Sequence, residues 1–417
     1  MSELWKKYVE DPRTICKYGI NCYQKSPKHH AEYKHPPPKG KRKMDRNPHT
    51  AKRLKLDESE EATTQSKQET QQVTNSENSA KKMIERSPER VSLPTDTSKS
   101  DDDIIYYDAT ANENKIEELF LVKMPLDFFK FYECLQEEED YKKLLSSVNL
   151  QLIGPYELLM GKLPIVEDKD LYLVHWRFFY DPPEFQSVLK RKGKSEYHIG
   201  YFRDSPDEPP AFLGFNNSAK DGTITPIADN IFSAVIAYLQ NEKKLSPFLF
   251  MHCQKFTEKV KVWAEKHNVP LNEYDVKQRW KKICTRSLHG AGIVVPYNKQ
   301  TKLGYRKLTE NDATLKKILK KIENSTNQDE KDKALAELQP IITYASIGVD
   351  ECDFGVGLEM GLDLFVSGLK DLEQSALSLL CSSYPLLKRD KFCKILQAHI
   401  KHRRRGPDMS LLNIING

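Results

Sequence analysis

Apolar positions recur at helical spacing from about Asn112 onward. Ile116, Phe120 and Leu121 share one face, and Phe128, Phe129, Phe131, Cys134 and Leu135 repeat the pattern between Pro125 and Tyr141. Residues 171–180, LYLVHWRFFY, are dense in β-branched and aromatic types and predict a strand that Asp181-Pro182-Pro183 stops. Tyr197 to Phe202 and Ala211 to Phe215 predict two more, each followed by turn residues. Asp229 or Asn230 then caps a helix with Ile231, Val235, Tyr238 and Leu239 on one face. Beyond residue 245 the pattern is mostly helical. Helices are expected at Leu315 to Ile322, at Leu335 to Tyr344 with Pro340 as a break, at Gly357 to Leu369 and at Gln374 to His399. Ala291 to Pro296 reads as a short strand. The expected class is α+β, with a mixed-sheet lobe over residues 106–245 and a more helical lobe over 246–417. No βαβ alternation, Gly-rich nucleotide fingerprint or internal repeat is present in the sequence.

The pattern fails before residue 106. Of the 40 aromatic residues, five lie in residues 1–33 and the rest from Tyr106 onward, so residues 34–105 have none. Such a segment cannot bury enough apolar area to offset its ordering entropy, and residues 37–105 are read as a disordered linker. Its charge is split. Residues 36–56 hold eight Lys/Arg and one acidic residue, whereas 57–103 hold six and twelve. The clusters Lys41-Arg42-Lys43 and Lys52-Arg53-Leu54-Lys55 fit a bipartite nuclear import signal or a nucleic-acid arm. This tether would span roughly 45 Å.

Composition narrows the class. The chain is 30% charged with mean hydropathy −0.66. No apolar run is long enough for a membrane helix, and the N-terminus lacks the apolar core of a secretory signal. Eight scattered cysteines in 417 residues do not make a disulfide scaffold, so a reducing compartment is expected.

Cys16 and Cys22 are followed by His29 and His35, with spacing C-x5-C-x6-H-x5-H. Two thiolates and two imidazoles suit one tetrahedral Zn²⁺, which would supply the folding energy of a module over residues 10–36. Arg13 to Gly19, Cys22-Tyr23-Gln24-Lys25 and Tyr33-Lys34-His35 surround these ligands. The module resembles the poly(ADP-ribose)-binding zinc finger. The resemblance implies that Tyr18 and Tyr23 embrace an adenine while Arg13 and Lys25 hold phosphate, chemistry that aromatic faces and cations suit. Gln24 departs from the usual basic pair after the second cysteine.

Unusual strings run through the globular region. They include Leu152-Ile153-Gly154-Pro155-Tyr156, His175-Trp176-Arg177-Phe178-Phe179-Tyr180, Gly200-Tyr201-Phe202-Arg203-Asp204, Gly304-Tyr305-Arg306 and Asp350-Glu351-Cys352-Asp353-Phe354-Gly355. Over about residues 112–400 the chain resembles the histone PARylation factors. That resemblance implies a monomeric accessory factor, not an enzyme alone, that binds the catalytic domain of a DNA-damage-activated poly(ADP-ribose) polymerase in the nucleus, at chromatin. The partner binds NAD⁺, and the joint site directs ADP-ribosylation to serine on histones. It implies Glu351 as the catalytic acid–base group with Asp350 in support, and Tyr305 and Arg306 as contacts to the polymerase. A carboxylate fits the task, because a serine hydroxyl must lose its proton as it attacks. The alternative is a non-catalytic poly(ADP-ribose)-reading scaffold in which Glu351 is inert. Direct DNA binding by the basic arm is a secondary possibility, with steep salt dependence as its sign.

Overall fold

Short polar side chains decide where much of this chain starts to coil. The computed structural model describes residues 11–16, 26–35, 104–109 and 112–416, in two compact units, Met1–Ser92 and Leu93–Gly417. In the first unit, strand β1 (Thr14–Ile15) pairs in parallel with β2 (Tyr33–Lys34), and helix α1 (Pro27–Glu32) precedes β2 with a proline in its first turn. The expected linker and its import-like clusters lie outside the described residues, apart from Ile104 and Ile105.

The second unit opens with helices α2 (Glu113–Phe120), α3 (Leu126–Gln136) and α4 (Tyr141–Ser147). Strand β3 (Leu150–Leu152) and short helices α5 (Pro155–Leu159) and α6 (Asp170–Val174) follow. Strands β4 (Phe185–Arg191), β5 (Tyr197–Phe202), β6 (Phe212–Asn217) and β7 (Thr225–Ala228) complete a sheet of order β3-β4-β5-β6-β7, antiparallel throughout. The helices then run as α7 (Ile231–Leu245), α8 (Phe250–Lys266), α9 (Val276–Lys282), α10 (Asp312–Glu323), α11 (Gln328–Asp350), α12 (Phe354–Ser367), α13 (Glu373–Leu386), α14 (Asp390–His402) and α15 (Leu412–Ile415). Asn112, Asn230, Asn311 and Asn327 each accept a backbone N–H of the first turn of α2, α7, α10 and α11. The α+β class is borne out, and Asn230 is the cap of the two residues weighed for α7. Leu189 and Ile199 of the sheet belong to one continuous buried core with Val356 and Leu380 of the C-terminal helices. Among the described residues, no helix is long and apolar enough to cross a membrane.

Several elements differ from the sequence expectation. Residues 171–180 are not a strand. Asp170 to Val174 form a helical turn, and Trp176 takes the left-handed conformation at φ 56°. Leu171, Tyr172, Leu173 and Val174 are all buried, so the run is apolar without a period, and such a run does not tell helix from strand. The neighbouring strand is instead β4. Residues 291–296 contribute only an isolated bridge, Thr285 to Ile293. Helix α11 continues through Pro340. The single helix expected at 374–399 is two, separated at Lys388, which sits at φ 60°.

Candidate functional site

Helix α11 ends where Cys352 turns left-handed at φ 70°. Glu351 N–H still reaches the Ile347 carbonyl at 3.0 Å, and Asp353 N–H reaches that of Gly348 at 2.8 Å. A left-handed residue just past the helix is a common stop, because it lets the next amides satisfy the last carbonyls. Here it places four residues, Asp350 to Asp353, on a tight corner before α12 starts. Asp350 and Glu351 are exposed, and Asp353 is buried.

A second segment is held against this corner. Asn298 N–H bonds the Leu303 carbonyl and turns the chain back. Gly304 follows at φ 105°, where a Cβ would stand 2.1 Å from the Pro296 carbonyl oxygen, so only glycine fits. Gly304 N–H donates to Asp353 Oδ1 at 2.9 Å, and Gly355 N–H donates back to the Gly304 carbonyl at 3.0 Å. Asp353 thereby serves the neighbouring segment and makes no side-chain cap on its own helix.

Arg306 is delivered directly onto the corner. Its Nε donates to Asp353 Oδ2 at 2.6 Å, and its Nη2 donates to Glu351 Oε2 at 2.5 Å. The Glu351 side chain is nonetheless 57% exposed, against 26% for Arg306. A carboxylate at a helix C-terminus faces the negative end of the helix dipole, and the guanidinium offsets that. Burial alone would lower Arg306, but its hydrogen bonds to Asp353 and Glu351 outweigh it and raise the group, which stays a cation.

Tyr305 is placed otherwise than a surface contact. It is only 7% exposed, and its hydroxyl donates to Glu359 Oε2 at 3.0 Å. Thr285 Oγ1 donates to the other oxygen of Glu359 at 2.7 Å. One turn further along α12, Asp363 Oδ1 accepts Ser287 Oγ at 2.5 Å and Leu288 N–H at 2.7 Å. Burial pushes the Glu359 carboxyl up to about 7 and that of Asp363 up to about 8, against the pull of these hydrogen bonds. Asp353 is legible in the sequence only as part of the acidic string around Glu351, and Glu359 and Thr285 are not legible as parts of this arrangement. Their partners lie about 50 to 75 residues away, and no spacing signals such pairs.

In the first unit the donor atoms of Cys16, His29 and His35 all lie within 4.8 Å of one another. Cys16 Sγ is 3.4 Å from His29 Nε2, which is 3.1 Å from His35 Nε2. Tetrahedral zinc with ordinary bond lengths needs edges of about 3.6 Å for S···N and about 3.3 Å for N···N. The donor set and its spacing therefore fit zinc. The fourth expected ligand, Cys22, lies outside the described residues, as do Tyr18, Tyr23 and Lys25. Arg13 donates to the His30 carbonyl and pairs with Asp11, whose carboxyl its hydrogen bond lowers to about 2.

Fold and sites define an α+β protein that displays an acid between two helices and carries a small Cys/His finger in a separate unit. The family model described as histone PARylation factor 1 matches residues 111–403, and the PBZ domain model matches residues 13–38. Histone PARylation factor 1 of Danio rerio is 40% identical over 296 residues, covering 69% of this chain and 85% of the relative. That of Mus musculus is 40% identical over 304 residues, covering 69% and 86%. A putative histone PARylation factor 1-like protein of Homo sapiens is 37% identical over 302 residues, covering 70% and 86%. The chain belongs to the histone PARylation factor 1 family.

Proposed function

We propose that the chain is an accessory factor that docks on the catalytic domain of a poly(ADP-ribose) polymerase and lends it Glu351 as a general base. The observation that carries this reading is the exposed Glu351 carboxylate, fixed on a tight corner by Arg306 yet open to solvent. In the reaction, serine Oγ attacks C1″ of the nicotinamide ribose of NAD⁺ held by the polymerase. The C–N bond breaks, nicotinamide leaves with the electron pair, and the hydroxyl proton passes to Glu351. Asp and Glu acceptors are already ionised near neutral pH and need no such base. Adding one carboxylate to an existing site therefore shifts acceptor preference toward serine. Asp350 adds negative charge beside the base, and the exposed edge of Arg306 faces the polymerase. Histones are the substrates that the family name suggests. The finger reads poly(ADP-ribose) and keeps the protein where polymer is made, on nuclear chromatin after DNA damage.

The test is Glu351→Gln, assayed with a purified polymerase catalytic domain and a histone peptide, with modified serines counted by mass spectrometry. Serine transfer is expected to fall by about 10²–10⁴-fold, while affinity for the polymerase stays within about threefold, since the amide keeps the side chain's shape. Undiminished serine transfer would favour the scaffold reading, in which the chain recruits polymer and proteins only.

A further inference from the structure

We propose that Glu359 is a positioning residue for this site: gripped by the hydroxyls of Thr285 and Tyr305, its carboxylate fixes the Gly304–Arg306 segment and so sets where Arg306 holds Glu351. The inference rests on the reading of Glu351 as the base. The geometry is that of a three-point clamp on α12. Asp353 takes the Gly304 amide, the Gly355 amide takes the Gly304 carbonyl, and Glu359 takes the Tyr305 side chain. Tyr305 and Arg306 are neighbours in the chain, one anchored inward and the other aimed outward at Glu351. With Tyr305 anchored, the backbone between them has little freedom, and the guanidinium arrives at Glu351 from one direction.

The chemistry at Glu359 argues that this anchor is more than packing. A carboxyl that is 4% exposed is costly to bury, and an apolar side chain would fill the space at lower cost. Its value lies in direction: two oxygens receive two hydroxyls from segments far apart in sequence, Thr285 at 2.7 Å and Tyr305 at 3.0 Å. Fixed direction is what an acid–base group on an exposed corner needs, because misplacement of about 1 Å can cost about a hundredfold in rate. Tyr305 thus acts mainly from inside the chain, through Glu359, and Arg306 presents the outer surface.

The experiment uses the full chain with Tyr305→Phe, Glu359→Leu, Glu359→Gln and the Tyr305→Phe/Glu359→Leu pair. Serine transfer is measured at a factor concentration that saturates the polymerase, and amide hydrogen exchange is followed in peptides spanning residues 303–307. Tyr305→Phe and Glu359→Leu should each lower transfer by about tenfold or more and speed exchange. Glu359→Gln, which still accepts the tyrosine hydroxyl, should stay within about threefold of the parent. The double variant should lose no more than the worse single one, because both remove one contact. Folded Glu359→Leu protein with parental transfer and exchange overturns the proposal, as do losses that add in the double variant. If Glu359→Leu does not fold, Tyr305→Phe and Thr285→Val decide by the same criteria. If Glu351→Gln retains serine transfer, the base reading fails, whereas the exchange measurement still decides the role of Glu359.

Discussion

Glu359 and Asp363 are one helical turn apart on the buried face of α12, and both hold protons more tightly than ordinary carboxyls, at about 7 and about 8. Desolvation is the main cause at each. A group whose folded value is raised contributes stability that is complete below its unfolded value and is lost as pH rises through the folded one. For these acids the loss therefore runs from about pH 4 to about pH 8. Buried His289, lowered to about 3 by desolvation and then by Arg279, works in the opposite sense: its contribution is present above its ordinary value of 6.5 and lost as pH falls. Between pH 6.5 and 8.5 the raised acids, these two and buried Glu184 at about 7, should tilt the curve, and the denaturant midpoint should fall with rising pH. Asp363→Asn keeps an acceptor for Ser287 and Leu288 but removes the titration. Its midpoint should fall less steeply over that range, by a difference on the order of 1 kcal/mol or more. A variant curve parallel to that of the parent would mean that Asp363 titrates as it does in the unfolded chain.

Helices α11 and α12 meet through glycines, and this contact shapes the corner between them. A Cβ on Gly357 would stand 2.2 Å from Val349 Cγ2 and 2.6 Å from Ser383 Oγ, and one on Gly348 would stand 2.4 Å from Val356 Cγ1. Neither helix can come as close with an alanine there. Gly357→Ala is expected to destabilise the second unit by about 1–3 kcal/mol, read as a lowered denaturant midpoint with unchanged slope. An unchanged midpoint would show that the two helices separate freely. At this scale the sequence was partly readable. Asn230 announces α7 because capping is local, and the Asp350–Asp353 string marked the corner by resemblance to its family. The run at 171–180 misled because a segment buried on every side carries no period. Glu359 was hidden for a related reason. In Gly357-Leu358-Glu359-Met360-Gly361 an acid on an apolar helix looks like a solvated position, and only the fold brings Thr285 and Tyr305 to it.

The two units draw their stability from different sources, and this separates their expected responses to metal removal. Among the residues of the first unit whose burial is described, only Cys16 is buried, and it belongs to the Cys/His cluster. Its Cys16, His29 and His35 cluster has the donors and spacing for zinc, and metal binding there is folding free energy. The second unit has a continuous core from Ile116 to Leu411, and neither Glu351 nor Arg306 depends on a metal for its placement. A strong zinc chelator, or Cys16→Ala, should therefore abolish retention of the full chain on immobilised poly(ADP-ribose). The main calorimetric transition should stay at the same temperature, and serine transfer with a purified polymerase in solution should stay within about twofold, because the groups that hold Glu351 all belong to the second unit. The basic arm gives the experiment its control. If the retained fraction survives chelation and disappears instead between 50 and 200 mM salt, lysine and arginine charge holds the polymer and the finger reading falls.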